Sequence, residues 1–174
     1  MSEERYIHSI NVATEAVFLA KKYGADEKKA EIAGILHDIT KETPKEEQLQ
    51  IIAMDGIILD DVEKAAPKLW HSISGAAFIK NQLQITDEDI INAVRYHTTA
   101  RQNMSLLEKV IFVADFTGAE RNYPGVEIMR QKSYLGLEEA MAFGLSFSIK
   151  DLAERNKPIC RCTIDAFNQI IIGK

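Results

Sequence analysis

The chain has 174 residues, of which 46% are hydrophobic and 27% charged, and a net charge of -5 at pH 7. This length favours one domain over residues 1–174, and the acidic balance argues against a protein that grips nucleic acid over a broad face. No apolar run is long enough for a membrane span, and the charged N-terminus lacks the apolar core of a signal peptide. The sequence therefore predicts a cytoplasmic protein whose partners include neither nucleic acid nor membrane.

Apolar residues at helical spacing dominate the first part of the chain. The first helix is predicted from about Glu4 to Tyr23 with Gly24 as its C-cap, and Asp26 starts the second. The second carries the apolar stretch "AEIAGIL" and ends in the adjacent pair His37 and Asp38. Small residues in that stretch would let a neighbouring helix, the first being one candidate, pack closely; these are Ala33 and Gly34.

A third helix is predicted to open at Pro44, and the stretch "DGIILDDVEKAAPKL" after it predicts a loop with a short helix. The next helix runs from about Trp70 to Gln82. Two capping-box patterns then start two helices, at Thr86 with Asp89 and at Ser105 with Glu108. The last two helices are predicted over Leu135 to Arg155 and Pro158 to Gly173. No alternating strand pattern appears, so the predicted fold is all-α, a compact bundle of about eight helices.

Four histidines fall at the ends or polar edges of separate predicted helices, where they can converge on one cleft: His8, His37, His71 and His97. A lone histidine near a helix end is commonly a cap or a dipole partner. Asp115 is harder to explain in this way, because it follows "VIFVA" on an apolar helix and a buried, unpaired carboxylate is costly. Imidazoles with carboxylates suit iron, manganese, zinc or cobalt better than magnesium or calcium.

The adjacent His37 and Asp38 lie about 100° apart around a helix, so both can reach one ion. A histidine on one helix, a His-Asp pair on the next and a distant aspartate resemble the HD superfamily of metal-dependent phosphohydrolases. The stretches "RYIHS", "LHDITK", "HSISGA", "RYHTTA", "MSLLEKVIFVADF" and "ERNYPGV" resemble, in order, the motifs of its YqeK-like family. The resemblance extends from about Arg5 to Asn168.

This resemblance implies an HD fold and symmetrical bis(5'-nucleosyl)-tetraphosphatase activity, in which diadenosine tetraphosphate is split into two ADP by a metal-activated hydroxide. The metal would be iron, or else manganese, cobalt or zinc. By position, the resemblance implies the metal ligands His8, His37, Asp38 and Asp115. Three further residues, Lys41, His71 and His97, would contact phosphates, and the two histidines could instead hold a second ion with Asp38 bridging.

The resemblance also implies a set of nucleotide-binding residues, with a dinucleoside polyphosphate or an ADP-like nucleotide as ligand. They are Arg5, Thr98, Arg121, Ile159, Cys160 and Thr163. Lys41 and Arg121 have a plainer explanation as solvated surface cations. The apolar faces of the last two helices are compatible with a homodimer.

The sequence departs from the family pattern in three places. Ala100 replaces the glycine of "HTTG", and Cys160 replaces a histidine. The segment Gly118–Ala119–Glu120 replaces a Glu-Pro-Gly-like turn. Cys160 and Cys162 are separated by one residue, which predicts that they do not bridge.

Three other functions remain open from the residues alone. The nearest is another HD-type nucleotide phosphohydrolase, such as a nucleotidase or a deoxynucleotide triphosphohydrolase. The second is a nucleotide-binding sensor without turnover, which a complete ligand set disfavours. The third is a structural helical protein with histidine caps, which predicts no bound metal.

Overall fold

The computed structural model describes residues 1–173, and in that range every regular element is a helix. The ten α-helices are α1 (Glu3–Tyr23), α2 (Glu27–Leu36), α3 (Lys45–Met54), α4 (Asp61–Ala65), α5 (Trp70–Asn81), α6 (Glu88–Tyr96), α7 (Leu106–Thr117), α8 (Val126–Leu135), α9 (Leu137–Glu154) and α10 (Arg161–Ile172). A 3₁₀ turn over Pro67–Leu69 precedes α5. The all-α prediction is confirmed, but the count of about eight is too low: ten α-helices lie within residues 1–173.

Most predicted helix starts agree with the caps that are present. The Asp26 carboxylate accepts from the Lys29 amide at the start of α2, and Ser105 with Glu108 forms a full capping box on α7. The predicted box of Thr86 with Asp89 is wrong. Asp87 caps α6 instead, because its carboxylate reaches two backbone amides of the first turn.

Three corrections concern the C-terminal part of the chain. Helix α8 was not predicted, and α10 begins at Arg161 rather than at Pro158. Cys160 and Cys162 are joined by a disulfide, contrary to the expectation from their spacing. Their Cα atoms lie 5.4 Å apart, because the chain turns into α10 at this point, and such a separation is ordinary for a disulfide.

Helix α7 lies at the centre of the core and contacts α1, α2, α6, α8 and α9. Its residues 110–114 are all buried, so the apolar run of the sequence packs on nearly every side. Among residues 1–173, no helix combines the length and apolarity needed to cross a membrane.

The closest helix approach is between α1 and α2, as the small residues predicted. A Cβ atom at Gly34 would lie only 2.6 Å from the Cα atom of Ala13, so this position accepts no side chain without displacing a helix. The approach matters for the cleft, because it brings His8 of α1 beside His37 at the end of α2.

Candidate metal centre

The four histidines come from four different helices and meet at one place. His8 lies within α1, His37 and His97 are the C-caps of α2 and α6, and His71 is the second residue of α5. All four are at most 4% exposed. Asp38 is also buried, and Asp115 reaches the cluster from α7.

Three of the histidines are held in a fixed orientation by backbone carbonyls. The Nδ1 atoms of His37, His71 and His97 lie 2.7, 2.7 and 2.8 Å from the carbonyl oxygens three residues earlier in the chain. A carbonyl oxygen can only accept, so each Nδ1 carries a proton and donates it. In the neutral ring Nε2 then carries a lone pair, and this is the usual arrangement of a metal-binding histidine.

Burial keeps two of these rings neutral at physiological pH. It lowers the pKa of His37 to about 4, because the nearby Asp38 and Asp115 carboxylates only partly offset the loss of solvent. Burial likewise lowers the pKa of His71 to about 4. Both rings are therefore available as neutral ligands.

The Nε2 atoms form two pairs. In the first pair, His8 and His37, the Nε2 atoms are 3.1 Å apart, and in the second pair, His71 and His97, they are 3.2 Å apart. In the neutral ring that burial favours for His71, Nε2 carries a lone pair, and it accepts from Lys41 Nζ 3.0 Å away. The donor arrangement thus suits a divalent ion.

Asp38 divides its two carboxylate oxygens between the pairs. Oδ2 lies 3.7 Å from His8 and 3.6 Å from His37, whereas Oδ1 lies 3.1 Å from His71 and 3.4 Å from His97. Oδ1 is buried and accepts no hydrogen bond. The nearest cation, Lys41 Nζ, lies 3.5 Å from Oδ1 and is partly exposed, so it compensates this buried anionic oxygen only in part. Asp38 would therefore offer one oxygen to an ion at each pair.

Asp115 lies nearest the first pair, and with His37 and His97 it also forms a group whose ligand atoms lie within 4.8 Å of one another. Its Oδ1 atom lies 3.2 Å from His8 Nε2 and 3.8 Å from His37 Nε2. Burial alone would raise the pKa of Asp115, but the His8 hydrogen bond and the Arg121 charge hold it well below the usual range. Asp115 is therefore an anion, and the first pair faces two carboxylates.

Three cations surround the cluster. Arg5 Nη1 lies 2.6 Å from Asp38 Oδ2, Arg121 pairs with Asp115, and Lys41 Nζ lies 3.0 Å from His71 Nε2. Their side chains are 25–37% exposed, so they also face the solvent side of the cleft. The cleft therefore combines buried anionic ligands with a positive edge.

The structure brings some of the predicted nucleotide residues to the cleft and leaves others away from it. The Thr98 hydroxyl lies 3.0 Å from His97 Nε2 and 3.3 Å from His71 Nε2. Thr163 contacts the segment that follows His97 and carries Thr98, since its hydroxyl donates to the Thr99 carbonyl over 2.8 Å. Within residues 1–173, no polar contact joins Ile159 or Cys160 to the histidine cluster.

Sequence reasoning missed a carboxylate that contacts the cluster from outside. Glu120, on the turn after α7, contacts His8 Nδ1 and accepts from Asn11 Nδ2 over 2.8 Å. No spacing in the sequence connects Glu120 or Asn11 with the cluster, because the contact forms only when the turn after α7 folds back onto α1. The only hint was that the segment Gly118–Glu120 departs from the family pattern.

Comparison with known proteins agrees with this geometry. The family model of the HD domain matches residues 5–119. The chain is 41% identical to a symmetrical bis(5'-nucleosyl)-tetraphosphatase of Bacillus subtilis (strain 168), covering 99% of this chain and 92% of the relative. It is 40% identical to the protein of the same name from Halalkalibacterium halodurans, covering 99% and 91%.

A solved structure is similar over the same extent. A crystal structure from Clostridium acetobutylicum, described as a predicted HD superfamily hydrolase involved in NAD metabolism, superimposes with a TM-score of 0.97. It is 37% identical in sequence, and the match covers all of this chain and 92% of that one.

Proposed function

We propose that the protein hydrolyses diadenosine tetraphosphate into two ADP. The premise is that the chain belongs to the HD-domain family and, within it, to the YqeK-like symmetrical bis(5'-nucleosyl)-tetraphosphatases. The observation that carries the chemistry is the arrangement at Asp38. Its two oxygens face two pairs of histidine nitrogens, and one of these oxygens is buried without a hydrogen bond. Such a donor set suits divalent metals that assist the hydrolysis of phosphoric anhydrides.

The proposal assigns ligands to each pair. His8, His37, Asp115 and Oδ2 of Asp38 would hold one ion, and His71, His97 and Oδ1 of Asp38 a second. Iron is favoured, with manganese, cobalt or zinc as alternatives that the same donors accept. A bound ion would supply Lewis acidity and an activated water near neutral pH.

The remaining groups of the cleft act on the substrate. Lys41 and Arg5 would offset the negative charge of the attacked phosphate, and Arg121 that of the departing ADP. Thr98 would donate its hydroxyl to a phosphate oxygen. The attack must fall on the second phosphate from one adenosine, so that water adds there and the bond to the third phosphate breaks.

The nucleoside would lie toward the start of α10. Thr163 supports this placement, because it hydrogen-bonds the loop that carries Thr98. Ile159 and Cys160 stand just before it and would line the same side. The replacement of the family histidine by Cys160 affects the fit of the nucleotide and leaves the proposed metal ligands intact.

A homodimer is part of the proposal. Its support is a set of apolar side chains at the ends of α8 and α10 that remain exposed: Leu135 at 79%, Ile171 at 46% and Ile172 at 84%. Exposed apolar patches of this kind mark interaction surfaces. Light scattering after gel filtration would give twice the chain mass of 19.6 kDa for a dimer and the chain mass itself for a monomer.

Another nucleotide phosphohydrolase activity is not favoured, since the near full-length relatives are named as symmetrical tetraphosphatases. A sensor without turnover is not favoured either, since every proposed ligand is present. The Clostridium acetobutylicum protein is described as involved in NAD metabolism, so an assay on diadenosine tetraphosphate decides between the two substrates.

The test is an analysis of products. The purified protein is incubated anaerobically with diadenosine tetraphosphate and ferrous ion, and the nucleotides are separated by chromatography. ADP as sole product supports the proposal, and ATP with AMP contradicts the symmetrical cleavage. Asp38→Ala removes the shared ligand, so we expect it to lose bound metal and to lower turnover by about a thousand-fold. Wild-type turnover and metal content in this variant would contradict the assignment.

A further inference from the structure

We propose that Glu120 is a positioning residue for the first pair, which fixes His8 as a metal ligand through its Nδ1 atom. The inference rests on the proposed metal centre but not on the proposed substrate. It concerns a turn, residues 118–121, in which this chain departs from the family pattern. Four observations support it: the place of His8 in its helix, the contacts of the Glu120 carboxylate, the space at Gly118, and the hydrogen bonds of Arg130 to the turn.

His8 differs from the other three histidines in where it stands. His37, His71 and His97 lie at helix ends and donate to carbonyls of their own chain segment. His8 lies inside α1, where backbone carbonyls are already engaged in helical hydrogen bonds. Its Nδ1 atom therefore needs a partner from another element, and Glu120 is that partner.

The Glu120 carboxylate is held at both oxygens. Oε1 contacts His8 Nδ1, and Oε2 accepts from Asn11 Nδ2 over 2.8 Å. Asn11 lies one turn after His8 on the same face of α1. The carboxylate thus bridges two successive side chains of this helix, which restricts both its own position and the rotation of the imidazole.

The turn leaves room for this carboxylate. A Cβ atom at Gly118 would lie 3.1 and 3.2 Å from the two Glu120 oxygens, tighter than ordinary contacts. The backbone of Gly118, with φ of -42° and ψ of 147°, is open to any residue, so the requirement is for space. Gly118 and Glu120 therefore act together in this chain.

Helix α8 holds the turn in place. Arg130 donates to the Thr117, Gly118 and Arg121 carbonyls over 3.2, 2.9 and 3.1 Å. A single guanidinium thus fixes the backbone on both sides of Glu120. A carboxylate that orients a ligating histidine in this way raises ligand basicity, and its loss typically lowers metal affinity about 10- to 100-fold.

The experiment measures binding of Co²⁺ to the metal-free protein by titration of its visible absorption. We expect Glu120→Ala to weaken binding at the first pair, His8 and His37, about 10- to 100-fold. Glu120→Gln should weaken it less, because an amide oxygen still accepts from Nδ1. Asn11→Ala should have a smaller effect in the same direction. Glu31→Ala, an exposed acid on α2, is the matched control and should bind like wild type.

A coupled variant separates this role from general damage to the fold. Gly118→Ala should weaken cobalt binding in the wild-type background and have no effect in the Glu120→Ala background. Wild-type affinity in Glu120→Ala, or in Glu120→Gln if the alanine variant does not fold, would overturn the inference. Weakened cobalt binding in a protein that does not cleave diadenosine tetraphosphate would leave the inference standing and overturn the substrate alone.

Discussion

The two histidine pairs of the cleft share Asp38 but differ in the charges around them. The first pair faces the Asp38 and Asp115 carboxylates, and Glu120 contacts its outer side. The second pair faces one oxygen of Asp38, with a lysine ammonium 3.0 Å from His71 and a threonine hydroxyl 3.0 Å from His97.

This difference predicts unequal affinities. Three carboxylates lie at the first pair, and the Arg5 and Arg121 guanidinium groups offset two of their charges. The second pair has one shared carboxylate oxygen, whose charge the Lys41 ammonium offsets, and that ammonium also competes for the lone pair of His71. The remaining negative charge therefore attracts a divalent cation more strongly at the first pair. We therefore expect the first pair to bind the tighter ion. The second pair would bind a weaker ion beside Lys41, the proposed phosphate contact.

The largest expected effect comes from the first pair itself. His37→Gln should lower turnover by about a thousand-fold and remove the tighter ion, because a buried ligand is lost. His71→Gln should lower turnover less and remove only the weaker ion. Metal analysis and kinetics on both variants check this, with circular dichroism confirming that each variant is folded. Equal losses of turnover and bound metal in the two variants would contradict the distinction between the pairs.

Replacing Lys41 should separate its two roles. Lys41→Met should lower turnover about 10- to 100-fold, because a charge facing the phosphate is lost. The same change should tighten binding at the second pair, because a competing cation is removed. Titration with Co²⁺ measures the binding, and Lys64→Met, an exposed lysine on α4, is the control. Weaker metal binding at the second pair in Lys41→Met would contradict the competition.

One histidine of each pair resists protonation in the metal-free protein. His71 and His37 have a pKa of about 4 in the folded protein and near 6.5 when unfolded. Between these values the folded state binds fewer protons, so the stability of the metal-free protein falls as the pH drops from 6.5 to 4. Each histidine contributes about 1.4 kcal/mol per pH unit to this slope.

Denaturant unfolding with a chelator present checks this slope. His71→Gln should make the dependence on pH shallower by about 1.4 kcal/mol per unit. Burial lowers the pKa of His8, but hydrogen bonds with Asp115 and Glu120 outweigh this and raise it. The stability that His8 contributes is present below pH 6.5 and is lost as the pH rises through its folded pKa. An unchanged slope in His71→Gln would contradict the neutral state of His71 in the folded protein.

The smallest expected effect is in the loop beside the second pair. Ala100 has a φ of 56°, a left-handed conformation that costs a residue with a Cβ atom about 1–2 kcal/mol. Its methyl group is fully buried, and this burial stabilises the folded state by about 0.8 kcal/mol. Ala100→Gly should therefore change the free energy of unfolding by less than about 1 kcal/mol, with metal binding unaltered. A change above 2 kcal/mol in either direction would show that this balance is wrong.

Much of the helical frame was predictable because local signals set it. Gly24, Asp26 and the Ser105–Glu108 box act within a few residues of where they stand, and the structure places them at the predicted helix ends. Thr86 failed as a cap because Asp87, next to it, reaches the same amides with a stronger acceptor. Helix α8 was missed because it follows directly on the "YPG" turn, and its N-cap residue Gly125 has no side chain to mark a helix start.

The cleft was predictable in its members but not in its arrangement. The histidines and Asp115 were recognisable from their placing and from the family resemblance. The division of Asp38 between two pairs depends on the close contact of Gly34 with Ala13 and on the packing of α5 beside α6. The roles of Glu120 and Asn11 depend on a turn that no periodicity describes.

The most direct test of unequal sites is a crystal structure of the protein grown with ferrous ion under anaerobic conditions, with anomalous data collected at the iron edge. We expect a strong anomalous peak at the first pair and a weaker peak at the second. The ligands of the strong peak would be His8, His37, Asp38 and Asp115, and those of the weaker peak His71, His97 and Asp38. A single peak at the second pair, or none at either pair in protein that cleaves diadenosine tetraphosphate, would contradict this expectation.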